Sequence, residues 1–249
     1  MALTHAAADV RPAALSTVHL LRGPYVTIGN RRMDVPEGSK RLLVFVAVSG
    51  GQVARRQVAG ALWPEGDDVR AAGNLRSALW RLRTAGIDVL HGDKAVLRLH
   101  PRTAVDVDQL CAWAERVNDP AVPTADLTAL DWRTEALNLL PGWYDDWVLF
   151  ERERLRQLQM HALEAAAGKL IAIGRHADAI EAALAAVRLE PLRESANRVL
   201  ILAHLAENNI VEAVRCFEGF QASLLRELGV APTADLRRLA LRGLAAVNP

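Results

Sequence analysis

Cationic and hydrogen-bonding side chains recur at helical spacing between residues 70 and 84. The residues of this run that are suited to nucleic-acid contact are Arg70, Asn74, Arg76, Ser77, Trp80, Arg81 and Arg83. Arginine can form paired hydrogen bonds to guanine and asparagine to adenine, each pair contributing about 1–3 kcal/mol of discrimination between bases. The alternative is an ordinary solvated helix face whose arginines pair with acidic residues elsewhere. For Trp80 three roles stay open: stacking on DNA sugar, covering the preceding helix, or sealing a contact with a second domain.

One long helix must carry this run. Asp67 and Asp68 offer an N-cap and first-turn negative charge, and Gly86 offers a stop after about Thr84. On a helical wheel the apolar residues form one stripe, made of Ala71, Ala72, Leu75, Ala78, Leu79 and Leu82. The arginine-bearing side lies opposite that stripe, so the sequence predicts a helix that buries one face and exposes a cationic one.

The flanking segments predict a winged helix-turn-helix. Residues 18–35 have the alternation and the Gly29-Asn30 turn of a small antiparallel sheet. A first helix is expected after Ser39 as its N-cap, a second over 55–62, and a hairpin over 89–99. In such an arrangement the third helix enters the major groove, and the hairpin contacts the backbone or the neighbouring minor groove. Lys94 and Arg98 are therefore candidate phosphate contacts, although hairpin tips are also charged simply to stay hydrated.

The connection between the second and third helices is longer than the usual turn of three or four residues. It contains Trp63, Pro64, Glu65, Gly66 and Asp67. A loop of this length is free to meet another protein.

Beyond about residue 104 the apolar residues recur at intervals of three and four, which predicts an all-helical domain. Residues 163–191 align with the packing positions of a tetratricopeptide repeat. A shift of 34 residues places Gly174 on Asn208 and Ala179 on Ala213. Asn208 is acceptable there because asparagine tolerates the left-handed backbone conformation. The sequence therefore predicts a short array of helical repeats.

Composition separates the two halves of the chain. The formal charge of +1 combines 14 Lys/Arg against 8 Asp/Glu in residues 1–100 with 16 against 21 in residues 101–249. A basic head with an acidic body is typical of a polyanion-binding domain joined to one with another task. Motifs for a phosphate-binding loop, a zincin helix or a nucleophile elbow are lacking. Asp145 and Asp146 with Glu151 and Glu153 could suggest an acid/base pair, but the position of the two aspartates at a helix start explains them by capping and the helix dipole. We expect no enzyme, no metal site and no cofactor, and a cytoplasmic, nucleoid-associated protein without membrane segments.

Three stretches of the basic half, LLVFVAVSGG, RRQVAGALWPEGDD and NLRSALWRLR, followed by the hairpin, resemble the OmpR-type DNA-binding domain of the Streptomyces antibiotic regulatory protein (SARP) family. The stretch LLPGWYDDWVLFERERLRQLQMHALE and the ending ELGVAPTADLRRL resemble the bacterial transcriptional activator domain that follows it in that family. The implied fold class is mainly α with small β: a winged helix-turn-helix followed by an all-α, tetratricopeptide-like domain.

The resemblance implies a transcriptional activator that binds direct repeats in promoter DNA as tandem protomers. It also implies contact with RNA polymerase holoenzyme and its sigma factor, for which the 63–67 loop is the candidate surface, and control of secondary-metabolite genes such as those for antibiotic biosynthesis. The expected domains are a flexible N-terminus over 1–16, a DNA-binding domain over 17–103 and an activator domain over 104–246. The alternative is a repeat-type interaction adaptor whose winged domain docks protein instead of DNA.

Overall fold

The computed structural model describes residues 16–65, 67–128 and 139–245. The chain divides into two compact units, one comprising residues 1–109 with 139–142, the other residues 110–138 with 143–249. The expected flexible N-terminus, apart from Ser16, lies outside the described residues.

The first unit begins with an antiparallel meander of β1 (Ser16–His19), β2 (Tyr25–Ile28) and β3 (Arg31–Asp34). A later strand, β7 (Thr103–Val105), joins β1 in parallel, so that the strand order is β3-β2-β1-β7. Val18, Val26 and Val105 are buried in this sheet. The meander and its Gly29 turn were predicted, whereas β7 was not.

Three helices and a second sheet complete the winged helix: α1 (Glu37–Val48), α2 (Arg55–Leu62), α3 (Asp68–Thr84), and strands β4 (Gln52–Ala54), β5 (Leu90–Gly92) and β6 (Val96–Leu99). Strand β6 lies between β4 and β5 and pairs with both in antiparallel fashion. The predicted hairpin is thus β5–β6, and β4 is a further strand that the sequence patterns did not indicate.

The prediction of Ser39 as the N-cap of the first helix is wrong. Helix α1 begins at Glu37, with Pro36 in the cap position. Ser39 is fully buried one turn in, and its hydroxyl donates a hydrogen bond of 2.8 Å to the carbonyl oxygen of Ala78 on α3. Because the Ser39 hydroxyl bonds to a carbonyl of α3, it does not cap the N-terminus of α1 and instead links α1 to α3.

The remaining helices are α4 (Asp106–Asn118), α5 (Thr124–Thr128), α6 (Asp146–Ala172), α7 (His176–Leu189), α8 (Glu194–Ala206), α9 (Ile210–Leu228) and α10 (Ala234–Ala245). From α6 to α10 each helix packs on the next, as expected for stacked helical repeats. The predicted packing positions Leu163, Ala167, Ala179 and Ala213 are fully buried. Gly174 and Asn208 both adopt the left-handed conformation, with φ of 76° and 61°.

The predicted fold class is confirmed: a winged helix-turn-helix with small sheets followed by an all-helical domain. In the part of the chain that the structure describes, no helix is both long and apolar enough to span a membrane.

Candidate nucleic-acid interface

Helix α3 begins and ends where the sequence predicts. The Asp67 side chain accepts a hydrogen bond of 2.7 Å from the backbone N–H of Arg70, which caps the helix. Asp68 in the first turn and Arg81 and Arg83 in the last complement the helix dipole. Gly86 stops the helix with a φ of 75°. These local devices fix the rotation and length of α3 independently of any ligand.

The apolar stripe of α3 holds the helix in the core. Ala71, Leu75, Ala78 and Leu82 are all buried, and α3 packs on both α1 and α2. The bond from Ser39 to Ala78 adds a polar link on this side. Since one side is anchored along its whole length, the opposite side is directed outward.

The exposed side of α3 carries the predicted cationic run. Arg70, Arg76, Ser77, Arg81 and Arg83 are exposed, Asn74 is half-buried, and Trp80 is 65% exposed. Arg70, Arg76 and Arg83 form no ion pair with any residue that the structure describes. The seven α3 residues thus lie on the exposed side and the flanks of the helix, where the charges of Arg70, Arg76 and Arg83 are not compensated by any described acidic residue.

Arg81 differs from the other arginines of this surface. Its guanidinium group lies over Gly38 in the first turn of α1 and donates from Nη1 to the Gly38 carbonyl oxygen at 3.5 Å. A β-carbon at Gly38 would come within 2.8 Å of that nitrogen. Arg81 is thus oriented by α1, whereas Arg76 is free to adjust to a ligand.

The two predicted hairpin cations have different environments. Lys94 is exposed at the tip and pairs with no described residue. Arg98 is half-buried, donating to Gln52 Oε1 at 3.2 Å and pairing with Asp93 Oδ2 at 3.4 Å. Hydrogen bonds from the N–H groups of Val96 and Ala95, with Arg98 adding to them, lower the pKa of Asp93. Arg98 therefore helps to hold the turn that presents Lys94.

Sequence reasoning missed two cations at the start of α2. Arg55 donates from Nη1 to the backbone oxygen of Asp93 at 3.4 Å, and Arg56 is exposed beside it. Both line a groove that also includes Arg76 and Lys94. The sequence signal that could have indicated them is the Arg-Arg pair at the start of the second helix. The pair lies close to the hairpin because of β4, a strand that was not predicted.

Two residues of the 63–67 loop belong to the ends of the flanking helices. Trp63 is half-buried at the end of α2, and Asp67 is occupied as the cap of α3. Pro64 and Glu65 are exposed and line a groove of about 460 Å³ together with Arg70 and Asn74. Gly66 lies outside the described residues. The accessible part of the loop is therefore its acidic tip next to the first turn of α3.

Across residues 16–65, 67–128 and 139–245 no group of three or more His, Cys, Asp or Glu side chains is arranged to hold a metal ion. What the described site offers is arginine, lysine, amide and indole groups on a rigid scaffold, which suits recognition of an anionic polymer.

A winged helix-turn-helix joined to an array of helical repeats is the architecture of a two-part transcription regulator. The model of the bacterial transcriptional activator domain matches residues 112–242, so the chain belongs to that family. A winged helix precedes this domain, in the order that the resemblance to SARP regulators implies, and the family is one of transcription regulators and not of enzymes.

Among solved structures, the chain is similar to Mycobacterium tuberculosis EmbR in complex with a low-affinity phosphopeptide. The TM-score is 0.70 at 23% identity, and the match covers 94% of this chain. It covers 66% of the EmbR chain, so this chain spans just under two thirds of that protein. At this identity the likeness shows the fold. No curated protein matches the chain.

Proposed function

We propose that the protein activates transcription by binding promoter DNA sequence-specifically, with α3 in the major groove and the β5–β6 hairpin against the adjacent backbone. The observation that carries the proposal is the outward face of α3, where Arg70, Arg76 and Arg83 have no acidic partner among the described residues. Three unpaired arginines on one helix face repel one another, and a row of phosphates relieves that repulsion.

The side chains divide into two roles. Asn74, Arg76 and Ser77 lie near the middle of α3 along its length and are proposed to contact base edges. Arg70, Arg83, Lys94 and Arg98 lie at the ends of α3 and on the hairpin and are proposed to contact phosphates, and Trp80 packs on a deoxyribose. Arg81 is held by Gly38, which orients it for one fixed contact.

The family adds partners to this proposal. Tandem protomers on direct repeats, RNA polymerase holoenzyme with its sigma factor, and secondary-metabolite genes are the partners and targets we propose. The surface for polymerase is the tip of the 63–67 loop, because Glu65 is exposed and has no part in capping α3.

The test uses genomic fragments that the full-length protein retains in cells, recovered and labelled as duplexes. In fluorescence anisotropy titrations, Arg76→Ala and Arg81→Ala should each weaken binding by about 1–3 kcal/mol. The log–log dependence of affinity on salt has a slope of about −0.9 per phosphate contact, so Arg83→Ala, which removes a proposed phosphate contact, should flatten it by about 1.

Arg188→Ala is the matched control, since Arg188 is an exposed arginine in the last turn of α7. Unchanged affinity in Arg76→Ala and Arg81→Ala, together with an unchanged salt slope in Arg83→Ala, would overturn the assignment of this helix. The adaptor function would instead be favoured by two results together: the whole chain retains no DNA, and a chain without residues 1–100 still captures a protein partner.

A further inference from the structure

A groove of about 1030 Å³ lies between α2, the first half of α3 and the tip of the β5–β6 hairpin. It lies wholly within the first unit and opens beside the exposed face of α3, with which it shares Arg76. Small-molecule sites in proteins occupy roughly 300–1000 Å³, so the groove is large enough for an ordinary ligand.

The charges along the groove are unbalanced. Arg55, Arg56, Arg76 and Lys94 line it, against two carboxylates, those of Asp68 and Asp93. The Asp93 carboxylate is already engaged by the N–H groups of Ala95 and Val96 and by Arg98. Arg56, Arg76 and Lys94 form no ion pair within the described part of the chain. An anion entering the groove would therefore meet cations that no carboxylate neutralises.

Apolar residues form part of the groove wall. They include Trp63, Pro64, Val69, Ala72 and Leu75. Val69 is 77% exposed, although it is a β-branched apolar residue in the first turn of a helix. A ligand that removes such apolar area from water gains roughly 25 cal/mol of binding free energy per Å². A phosphodiester backbone would gain little from such a wall, whereas a ring system or short alkyl body would.

Gly60 supports the interpretation that the groove is left open for a ligand. It lies inside α2, where glycine costs about 0.5–1 kcal/mol relative to alanine. Its φ is not positive, and a β-carbon built there would meet no atom within 4 Å. Neither backbone strain nor close packing therefore requires glycine, but a side chain at this position would project into the groove that Gly60 lines.

We propose that this groove binds a small anionic amphiphile: a carboxylate, sulfonate or phosphate carried on an apolar ring or short aliphatic body. The cations on the α2 and hairpin side hold the acidic group, and the body packs on Trp63, Val69 and Leu75. Because Arg76 belongs to both the groove and the exposed face of α3, the ligand and duplex DNA compete for it. The ligand would thus lower the affinity of the protein for DNA.

The experiment uses the full-length chain and the fluorescent anionic amphiphile anilinonaphthalene sulfonate as probe. Gly60→Leu places a branched side chain in the groove and should weaken probe binding about tenfold, a loss of 1.4 kcal/mol. Gln57→Leu is the matched control, since Gln57 is exposed on the same helix but does not line the groove. Arg56→Gln removes one cation without filling space and should weaken the probe by about threefold to tenfold.

Three outcomes would overturn the proposal. The first is equal probe affinity in Gly60→Leu and Gln57→Leu, with far-ultraviolet circular dichroism confirming that both are folded. The second is equally tight binding of neutral phenylnaphthylamine, which has the ring system but no charge. The third is unchanged probe affinity in the presence of saturating duplex DNA.

The DNA titration also separates this proposal from the proposed function. Gly60→Leu should leave the affinity for duplex unchanged, since Gly60 is not on the exposed face of α3. A variant that loses DNA and probe equally would show that the groove belongs to the DNA site and has no ligand of its own. Absence of DNA binding in the native chain, with the probe effects intact, would contradict only the function proposed above.

Discussion

The buried carboxylate of Asp106 links the first strand to the start of α4. Its oxygens accept hydrogen bonds from the backbone N–H groups of Leu20 at 3.0 Å, Leu21 at 3.1 Å and Val107 at 2.8 Å. Burial nevertheless outweighs these bonds and raises the pKa of Asp106 to about 6. The folded state therefore holds a proton on Asp106 at a pH where the unfolded chain has released it.

This shift sets the sign of a pH effect on stability. The pKa of Asp106 is higher in the folded state than in the unfolded state, so its contribution is present below about pH 4 and is lost as the pH rises through about 6. Two pKa units correspond to about 3 kcal/mol of unfolding free energy. Asp106→Asn cannot titrate, so the difference in unfolding free energy between native and variant should change by about that amount between about pH 4 and about pH 7.

Urea denaturation across that pH range measures the difference. His19 must be allowed for, because its Nδ1 lies 3.8 Å from the Asp106 carboxylate and burial, together with Arg32, lowers its pKa. Because Asp106→Asn changes the charge beside His19, the titration of His19 does not cancel on subtraction, and both proteins should carry His19→Gln so that the difference reports Asp106 alone. A difference independent of pH would contradict the assigned role of Asp106.

At the scale of elements, three helices end in the same hydrogen-bond pattern. After α6, the N–H of Arg175 donates to the carbonyl of Leu170, and the N–H of Gly174 donates to the carbonyl of Ile171. After α8, the N–H of Asn209 donates to the carbonyl of His204, and the N–H of Asn208 donates to the carbonyl of Leu205. Helix α3 ends likewise around Gly86. This is the Schellman motif, which needs a left-handed residue just beyond the helix. The two repeats therefore turn by one mechanism, with asparagine in place of glycine in the second.

Asn208 is consequently a position where glycine should stabilise the protein. Asn208→Gly removes the cost of a side chain at a φ of 61° and should raise the unfolding free energy by about 0.5–1 kcal/mol. Asn208→Ala should lower it by about 1 kcal/mol, since alanine lacks the polar side chain that tolerates this conformation. Glu207→Gly is the control, because Glu207 has a right-handed backbone where glycine brings no such relief. A thermal melt in which both glycine variants shift alike would contradict this explanation.

Elements whose signals are local could be predicted from the sequence. Helix α3 has its cap, its stripe and its stop within its own residues, so its bounds and its exposed face were predicted. Strands β4 and β7 have three residues each and exist only because β6 and β1 pair with them. Ser39 was misassigned for the same reason, since its partner Ala78 is 39 residues away. The groove beside Gly60 combines three elements, and its one local signal, the Arg-Arg pair that opens α2, does not by itself indicate a groove.

At the scale of the molecule, positive charge is concentrated in the first 100 residues and negative charge in the rest of the chain. The first 100 residues hold 14 Lys/Arg against 8 Asp/Glu, which favours association with DNA at long range. Within this basic half Glu65 is an exposed acid on a loop, next to a helix that is proposed to hold DNA. A negative charge there weakens DNA binding slightly, and the proposed contact with RNA polymerase would give it a benefit.

Glu65→Lys should therefore separate transcription from DNA binding. We expect affinity for the promoter duplex to be unchanged or raised, because the variant adds positive charge near Arg70. Run-off transcription with purified polymerase holoenzyme should fall severalfold at saturating activator, since the contact proposed for the loop tip is reversed in charge. Asp88→Lys makes the same change in net charge at another exposed acid of the same unit and should transcribe normally. Equal transcript from the two variants, with both bound to DNA, would remove the loop from the activating surface.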